Sequence, residues 1–321
     1  MQGKNVLITG GAGFIGSNLA RRLLDLGANV SIFLRSGETR RNIEDIQSKI
    51  KIIEGNLLDE NDVKNAIEGV DYMYHFAWQT DLKESMKHPL EDLKVDMVGL
   101  VNILECCRKY NEDIKIIFAS TVTVIGLTDK LPSNEDESEE PPSVYDIHKL
   151  MAEKYLQMYY NNHKIKSCVL RLSNIFGEGQ KIDNPNRGVL NFMIGRALRG
   201  EELNVYGKGD FIRDYNYIQN YIDAFVLAAE SENTNGEVYV MGSAQGREFN
   251  EVVEKIKEIT EELTSKEVVI KHVPFPGEEH EINKRNFVAD FGKFHRATGW
   301  EPKVRFDEGL KRTIEYYYRK V

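Results

Sequence analysis

Apolar residues enter this chain in short unbroken runs, separated by stretches where they return every three or four positions. Val6, Leu7 and Ile8 form such a run, apolar on both faces as a strand inside a parallel sheet must be. Gly10 and Gly11 break it, and from Phe14 onward Ile15, Leu19, Leu23 and Leu26 return on one helical face. Further strands are predicted at residues 29–34, 51–54, 72–76, 114–119, 167–172 and 237–241. Helices are predicted at 61–68, 90–110, 145–161, 220–230, 249–263 and 306–317, where the aromatic side chains read as core. This alternation implies an α/β fold with a doubly wound parallel sheet. Glycine-rich and polar pieces at 173–188 and 206–214 point to a second, smaller lobe. The expected division is 1–172 plus 215–243 for the sheet domain and 173–214 plus 244–321 for the C-terminal lobe. The acidic stretch 134–140, closed by Pro141 and Pro142, is expected as a surface loop, with Ser143 capping the next helix.

The first glycine cluster carries chemical information because of where it sits. Gly10, Gly13 and Gly16 follow a strand and open a helix, whose free N–H groups attract an anion. Gly10 suits the tight turn, Gly13 lets the backbone approach a pyrophosphate, and Gly16 allows close packing of helix on strand. A dinucleotide cofactor is the expected ligand. At the end of the second strand, where an acid would hold the ribose of NAD, the chain reads Leu34, Arg35, Ser36, with Arg40 and Arg41 close behind. Guanidinium groups there favour the extra phosphate of NADP, with NAD the runner-up. Ligands gather at the carboxyl ends of such strands, so Phe14, Ile15, Asn56, Leu57, Phe76, Ala77, Ser120 and Arg171 are expected to border the same cleft.

Composition narrows the partners. The 321 residues are 41% hydrophobic, enough for a large core in two lobes. A net charge of −9, from 42 basic and 51 acidic residues without a long basic block, argues against nucleic acid. Cys106, Cys107 and Cys168 show neither a disulfide framework nor zinc spacing, so no metal is expected and the thiols read as reduced core residues. Met1 leads almost directly into the first strand and no apolar run reaches membrane-spanning length, which sets the expectation of a cytoplasmic protein.

Tyr145 and Lys149 stand four apart in YDIHK, one turn apart on the same helical face. A nearby ammonium favours the phenolate, so the tyrosine is expected to titrate closer to neutrality and to exchange a proton with an alcohol. Upstream, FASTVTVIG ends the fifth strand and offers Ser120 and Thr121. With these pieces in hand, the chain resembles the extended short-chain dehydrogenase/reductase family, especially nucleotide-sugar epimerases and dehydratases. The segments TGGAGFIG, HFAWQ, FASTVTVIG, YDIHK, RLSNIFG and YGKGDFIRDYNYI occur in that family's order from Lys4 to about residue 317. The resemblance implies a Rossmann sheet with a smaller substrate lobe and a triad of Thr121, Tyr145 and Lys149, with Ser120 as helper. In such a triad the lysine also binds the nicotinamide ribose. It also implies that Trp78, Asn174, Val189, Leu190, Tyr206 and Arg213 meet a nucleotide-sugar substrate, and that the protein dimerises through a four-helix bundle built from 90–110 and 145–161. Leu93, Met97, Leu100, Val101 and Leu104 fit either that interface or the core.

Several positions depart from the family pattern. Dehydratases carry an acidic pair after the threonine, where this chain has Val122 and Thr123, neither of which exchanges a proton at neutral pH. Substitute bases are sought among Asp81, Glu84, His88 and Asp96, the last acting either as a base or as an anchor for a backbone group. Trp78 fills a place usually held by a small residue. Phe275 stands where relatives place a phosphate-binding arginine, leaving Arg213, Arg285 or Lys284 for the diphosphate. The leading expectation is an NADP(H)-dependent epimerase or oxidoreductase acting through a 4-keto sugar on a UDP-hexose or UDP-amino sugar. The alternatives are a C5-epimerising or isomerising enzyme on a UDP-6-deoxy amino sugar, a 4,6-dehydratase with a substituted acid/base pair, and a non-catalytic NADP(H) sensor.

Overall fold

The computed structural model describes residues 1–185, 188–275 and 285–320. In chain order the strands are β1 (Asn5–Thr9), β2 (Asn29–Leu34), β3 (Lys51–Glu54), β4 (Tyr72–His75), β5 (Lys115–Thr121) and β6 (Lys166–Leu172). They continue as β7 (Asn174–Phe176), β8 (Leu203–Tyr206), β9 (Ile212–Tyr217), β10 (Glu237–Met241), β11 (Gly246–Glu248) and β12 (Ile270–Val273). The helices are α1 (Phe14–Asp25), α2 (Glu60–Ile67), α3 (Leu82–Lys87), α4 (Pro89–Leu93), α5 (Gly99–Tyr110) and α6 (Val144–His163). After them come α7 (Val189–Leu198), α8 (Ile218–Glu230), α9 (Phe249–Thr264), α10 (Gly292–Thr298) and α11 (Phe306–Tyr318).

Seven strands form one parallel sheet in the order β10-β6-β5-β4-β1-β2-β3. Its apolar runs require cover on both faces, and alternate residues of β5 show the consequence. Ile117 and Ala119 enter the core that lies under α1 and α8, while Ile116 and Phe118 enter the core under α2, α5 and α6. The strand order reverses between β1 and β4, and the crevice at the carboxyl ends there is where an open sheet of this kind accepts ligands. The sheet is thus the Rossmann-like doubly wound arrangement the sequence implied.

Two smaller sheets, β11-β9-β7 and β12-β8, stand beside it with α7, α9 and α11. The buried carboxylate of Asp214 on β9 ties several segments together, accepting from the backbone N–H of Ser243, Ala244 and Ala289. The cysteines are buried and unpaired, and among the described residues no helix is long and apolar enough to cross a membrane.

One expectation needs correction and another is extended. The helix expected over 90–110 is interrupted: α4 passes into a π-helical turn at Lys94–Val98 before α5 begins. The acidic stretch is a surface loop, as expected, and it is also tethered. Glu135 accepts the Val240 backbone N–H at 2.6 Å, and Glu139 pairs with Lys154 at 2.6 Å and with buried Arg171, so the segment is fastened to the sheet edge.

Candidate active site

The glycine loop shows its purpose in what a side chain would strike. Gly10 has φ of +67°, and a Cβ there would lie 2.7 Å from the Ala77 nitrogen on the loop after β4. A Cβ on Gly16 would lie 2.5 Å from the Gly10 carbonyl oxygen. Helix α1 starts at Gly13 with no side-chain cap and no acid in its first turn, so its N-terminal dipole faces the cleft uncompensated. Phe14 and Ile15 are half-buried beside it. The cradle fits the pyrophosphate of a dinucleotide.

At the end of β2, Arg35 leaves three-quarters of its side chain in solvent and lies 3.9 Å from Glu38, whose carboxylate also accepts the Arg35 backbone N–H. Arg40 is already paired with Glu54. Ser36 and Asn56 are exposed, the latter accepting the Leu58 N–H at 3.0 Å, and Leu57 is half-buried against Gly99. Phe76 packs on Phe225 with ring centroids 4.8 Å apart.

Helix α6 sets the reactive pair. Ser143 caps it by accepting the Asp146 N–H at 3.2 Å, and its first turns carry Tyr145 and Lys149 to the end of β5. The Lys149 ammonium is buried, donates to the Ala119 carbonyl at 2.7 Å, and lies 4.1 Å from the Trp78 ring centroid and 4.4 Å from that of Phe118. Burial pushes its pKa down, and the carboxylates of Asp96, Glu153 and Asp92 oppose the shift. Burial pushes Asp96 up, opposed by the Gln79 N–H at 3.0 Å and by Lys149. The Tyr145 phenol is raised, not lowered: desolvation leads, and Asp146, Asp96 and Asp92 add to it. The expected effect of Lys149 is not met here because its ammonium is directed at Ala119 and at the indole, 5.8 Å from the Tyr145 ring centroid.

The other candidates divide. Thr121 lies at the strand end with its hydroxyl 2.7 Å from that of Thr123. Ser120 instead donates to Glu153, which is held by Arg171, so its hydroxyl ties β5 to α6 and β6. The Trp78 indole lies beneath Lys149, edge-on to Phe118 and His75, and its Nε1 has no partner among the described residues. The indole, half-buried, thus supports the lysine from below. His75 shares a 2.8 Å hydrogen bond with Thr9 and is held neutral by burial, its pKa down to about 3. Of the substitute bases, Asp81 caps α3, Glu84 pairs with Lys87 at 3.1 Å, and His88 is exposed beside Glu84. Asp96 anchors the Gln79 backbone.

Beside the main sheet, Asn174 opens β7, half-buried, and Val189 is exposed at the start of α7. The Leu190 side chain lies in the core. Tyr206 is exposed and packs on Phe275 with centroids 5.7 Å apart, forming a short aromatic shelf. The Arg213 guanidinium covers the Phe211 ring at 4.6 Å. Arg285 is buried, its Nε and Nη1 have no partner among the described residues, and burial beside Arg213 lowers its pKa to about 10. Two desolvated guanidinium groups side by side, one with unmet donors, fit a diphosphate. Lys284 lies outside the described residues.

Sequence reasoning overlooked Asp92, His148, Thr123 as a donor, and Asp146. His148 Nδ1 is 2.7 Å from Asp92 Oδ2, both buried, and Gln79 donates to the other Asp92 oxygen at 3.2 Å. Asp146 and His148 are in YDIHK itself, where spacing drew attention only to its first and last residues.

A cleft of this construction, with a dinucleotide cradle at one end and a tyrosine–lysine pair at the other, defines an enzyme of the extended short-chain dehydrogenase/reductase type. The chain belongs to the GDP-mannose 4,6 dehydratase family, whose model matches residues 7–313, within the wider group of nucleotide-sugar epimerases, dehydratases and decarboxylases. It is 32% identical to a UDP-N-acetyl-alpha-D-glucosaminuronate decarboxylase of Bacillus cytotoxicus over 98% of both chains. A UDP-glucose 4-epimerase of Thermotoga maritima, solved with UDP-glucose, has 33% identity and a TM-score of 0.87, covering 98% of this chain and 99% of that one. The Thermus thermophilus UDP-glucose 4-epimerase in complex with NAD has 29% identity and a TM-score of 0.84, covering 99% and 100%.

The Asp96–Lys149 coupling has a definite sign. The carboxylate favours the charged amine, so Asp96→Asn lowers the Lys149 pKa further. Dinucleotide affinity measured against pH is expected to lose its lysine-dependent part at a lower pH in the variant. A midpoint that stays in place or moves upward removes Asp96 from this role.

Proposed function

We propose that the protein is an NADP(H)-dependent epimerase or oxidoreductase of a UDP-hexose or UDP-amino sugar, acting through a 4-keto sugar. One observation carries the reading. Thr121 ends β5, Lys149 on α6 donates to the Ala119 carbonyl of that strand and Tyr145 stands one turn before it, while Val122 and Thr123 leave the two positions after the threonine without a carboxylate. Such a site handles the proton of a sugar hydroxyl but lacks the usual pair for eliminating water. The bound dinucleotide supplies the oxidant and reductant for the sugar carbon. Gly10, Gly13 and Gly16 cradle its pyrophosphate, and Lys149 binds its ribose. Tyr145 exchanges the C4 hydroxyl proton and Thr121 holds the oxygen. Arg213, Arg285 and Asn174 take the diphosphate, and the shelf of Tyr206 and Phe275 takes the base.

Arg35 supports NADP over NAD, since its guanidinium is solvent-facing at the end of β2, where Glu38 holds its backbone N–H. Dimerisation is supported by apolar side chains that α4, the π-helical turn and α6 leave in solvent: Leu90, Val95, Val98, Ile147, Tyr155 and Met158. Of the residues first considered for that face, Met97, Leu100 and Leu104 are core.

Three measurements test these statements. Incubated with UDP-glucose, UDP-N-acetylglucosamine and the 4-keto-6-deoxy derivatives of both UDP and dTDP sugars, the protein is expected to give a new product by NMR. Tyr145→Phe is expected to lower that turnover roughly 100- to 10,000-fold while sparing dinucleotide binding; no product with any of these sugars sinks the reading. NADP+ is expected to bind more tightly than NAD+, and Arg35→Ala to weaken NADP+ alone by about tenfold, about 1.4 kcal/mol; equal losses for both cofactors count against Arg35. Sedimentation is expected to show a dimer that Val98→Glu dissociates, and a monomeric wild type rules the interface out.

A further inference from the structure

The consecutive carbonyls of Gly177, Glu178, Gly179 and Gln180 each accept a hydrogen bond from a side chain on a different element. Asn191 on α7 donates to Gly177 O at 2.8 Å, and its own oxygen takes the Gly177 N–H at 3.3 Å. Asn18 on α1 donates to Glu178 O at 2.9 Å. Asn42, in the short 3₁₀ helix Arg41–Lys49, donates to Gly179 O at 3.3 Å, and Tyr317 on α11 donates to Gln180 O. A strap of irregular backbone is thereby fixed along its whole length, against the conformational entropy that ordering it costs.

Two of these donors have a second partner, and in both cases it is the dinucleotide cradle. Asn18 Nδ2 also donates to Phe14 O at 2.9 Å, in the first turn of α1, and Asn42 Nδ2 also donates to Ala12 O at 3.3 Å, within the glycine loop. A primary amide has two hydrogens, so each nitrogen spends one on the strap and one on the cradle and keeps none. Turning either amide over would set its oxygen against two carbonyl oxygens, which fixes the orientation. Arg21 steadies the Asn42 end, donating to Asn42 O at 2.7 Å and to Ser17 O at 3.0 Å while pairing with Asp45. In the other direction the strap runs straight out of β7, whose first residue is Asn174 and whose partner strand β9 carries Arg213. The side chains proposed for the diphosphate of the sugar nucleotide are thus joined to the cradle of the dinucleotide by one short run of chain and two amide nitrogens.

We propose that Asn18 and Asn42 are positioning residues that couple the two ligands: through Glu178 and Gly179 they make dinucleotide and nucleotide sugar each bind more tightly when the other is present. The proposal rests on the nucleotide-sugar reading above. Both asparagines act through the backbone they hold. A diphosphate held by Asn174 and Arg213 fixes β7 and the strap that continues it. The fixed strap in turn holds the Ala12 and Phe14 carbonyls, which flank Gly13 where α1 begins. A pyrophosphate in the cradle fixes the same carbonyls from their own side. Whichever ligand arrives first meets the cost of ordering, and the second finds the strap already set. Linkage requires the two gains in affinity to be equal.

Calorimetry on the full chain, freed of any bound dinucleotide, reads this coupling. UDP is the probe because it carries the base and diphosphate but no carbon to oxidise, and NADP+ and NAD+ are titrated in parallel. In the wild type, saturating UDP is expected to lower the Kd of the preferred dinucleotide about tenfold, and that dinucleotide to lower the Kd of UDP by the same factor. Asn18→Asp and Asn42→Asp keep the side-chain shape but put an oxygen where the donor was. Each is expected to bring the factor close to one while retaining the affinity for UDP alone, and either carries the test if the other does not fold. Asn111→Asp is the control, since that amide bridges Ile67 O at 2.8 Å and Val70 O at 2.9 Å at the opposite end of the sheet. It is expected to keep the tenfold factor. A wild-type factor of one, an unchanged factor in both strap variants, or an equal loss in Asn111→Asp overturns the coupling and leaves the nucleotide-sugar reading standing. A wild type that binds neither UDP nor either dinucleotide overturns both.

Discussion

Lys149 carries its ammonium to a place that water barely reaches, over the rings of Trp78 and Phe118 and against the Ala119 carbonyl. Desolvating a cation costs several kcal/mol unless other groups replace its hydration. Here one carbonyl, two aromatic faces and a ring of carboxylates supply that replacement, and each fixes something else. The Trp78 indole cannot move into the cleft without uncovering the amine. Asp96 cannot leave without deepening the amine's loss of charge, and it also holds the Gln79 backbone in the loop after β4. Thus the loop over the switch point and the start of the reactive helix are braced by one buried charge.

The strands and the parallel sheet were legible because runs such as Val6–Ile8 and alternating helices leave few other solutions. The dinucleotide cradle was legible for the same reason: a backbone that must pass within contact of another backbone admits only glycine, and glycine is visible as a letter. What stayed hidden depends on which way a side chain turns. Trp78 could be seen as unusually large, but not that it turns under the lysine. Leu190 lies beside Val189 in sequence, yet one is core and the other solvent. The fall expected for the tyrosine's pKa came from spacing along a helix, whereas the actual direction depends on where the ammonium hydrogen-bonds. The interruption of the helix before α5 left no mark that periodicity alone could detect.

The hydroxyls after Thr121 alter how the family resemblance is understood. Losing an acidic pair would empty the site of exchangeable groups if the loop acted alone. The capped first turn of α6 brings Asp146 to the same place from another element, and the Ser143 hydroxyl that caps the helix also steadies this carboxylate. The buried Arg285 enters the same electrostatic neighbourhood, so the end that would meet a diphosphate and the end that would meet the sugar hydroxyl are coupled through a single carboxylate.

The π-helical turn at Lys94–Val98 contains one more residue than an ordinary helical winding of the same height would use. That surplus residue sets Asp96 inward while Val95 and Val98 face out. Excising one residue there would let the backbone relax into regular winding and swing the upstream half of the helix by about 100° against the downstream half. Among descendants of such a chain, length in this short segment is therefore as consequential as residue identity, because a single-codon deletion would remodel both the inner and outer faces at once.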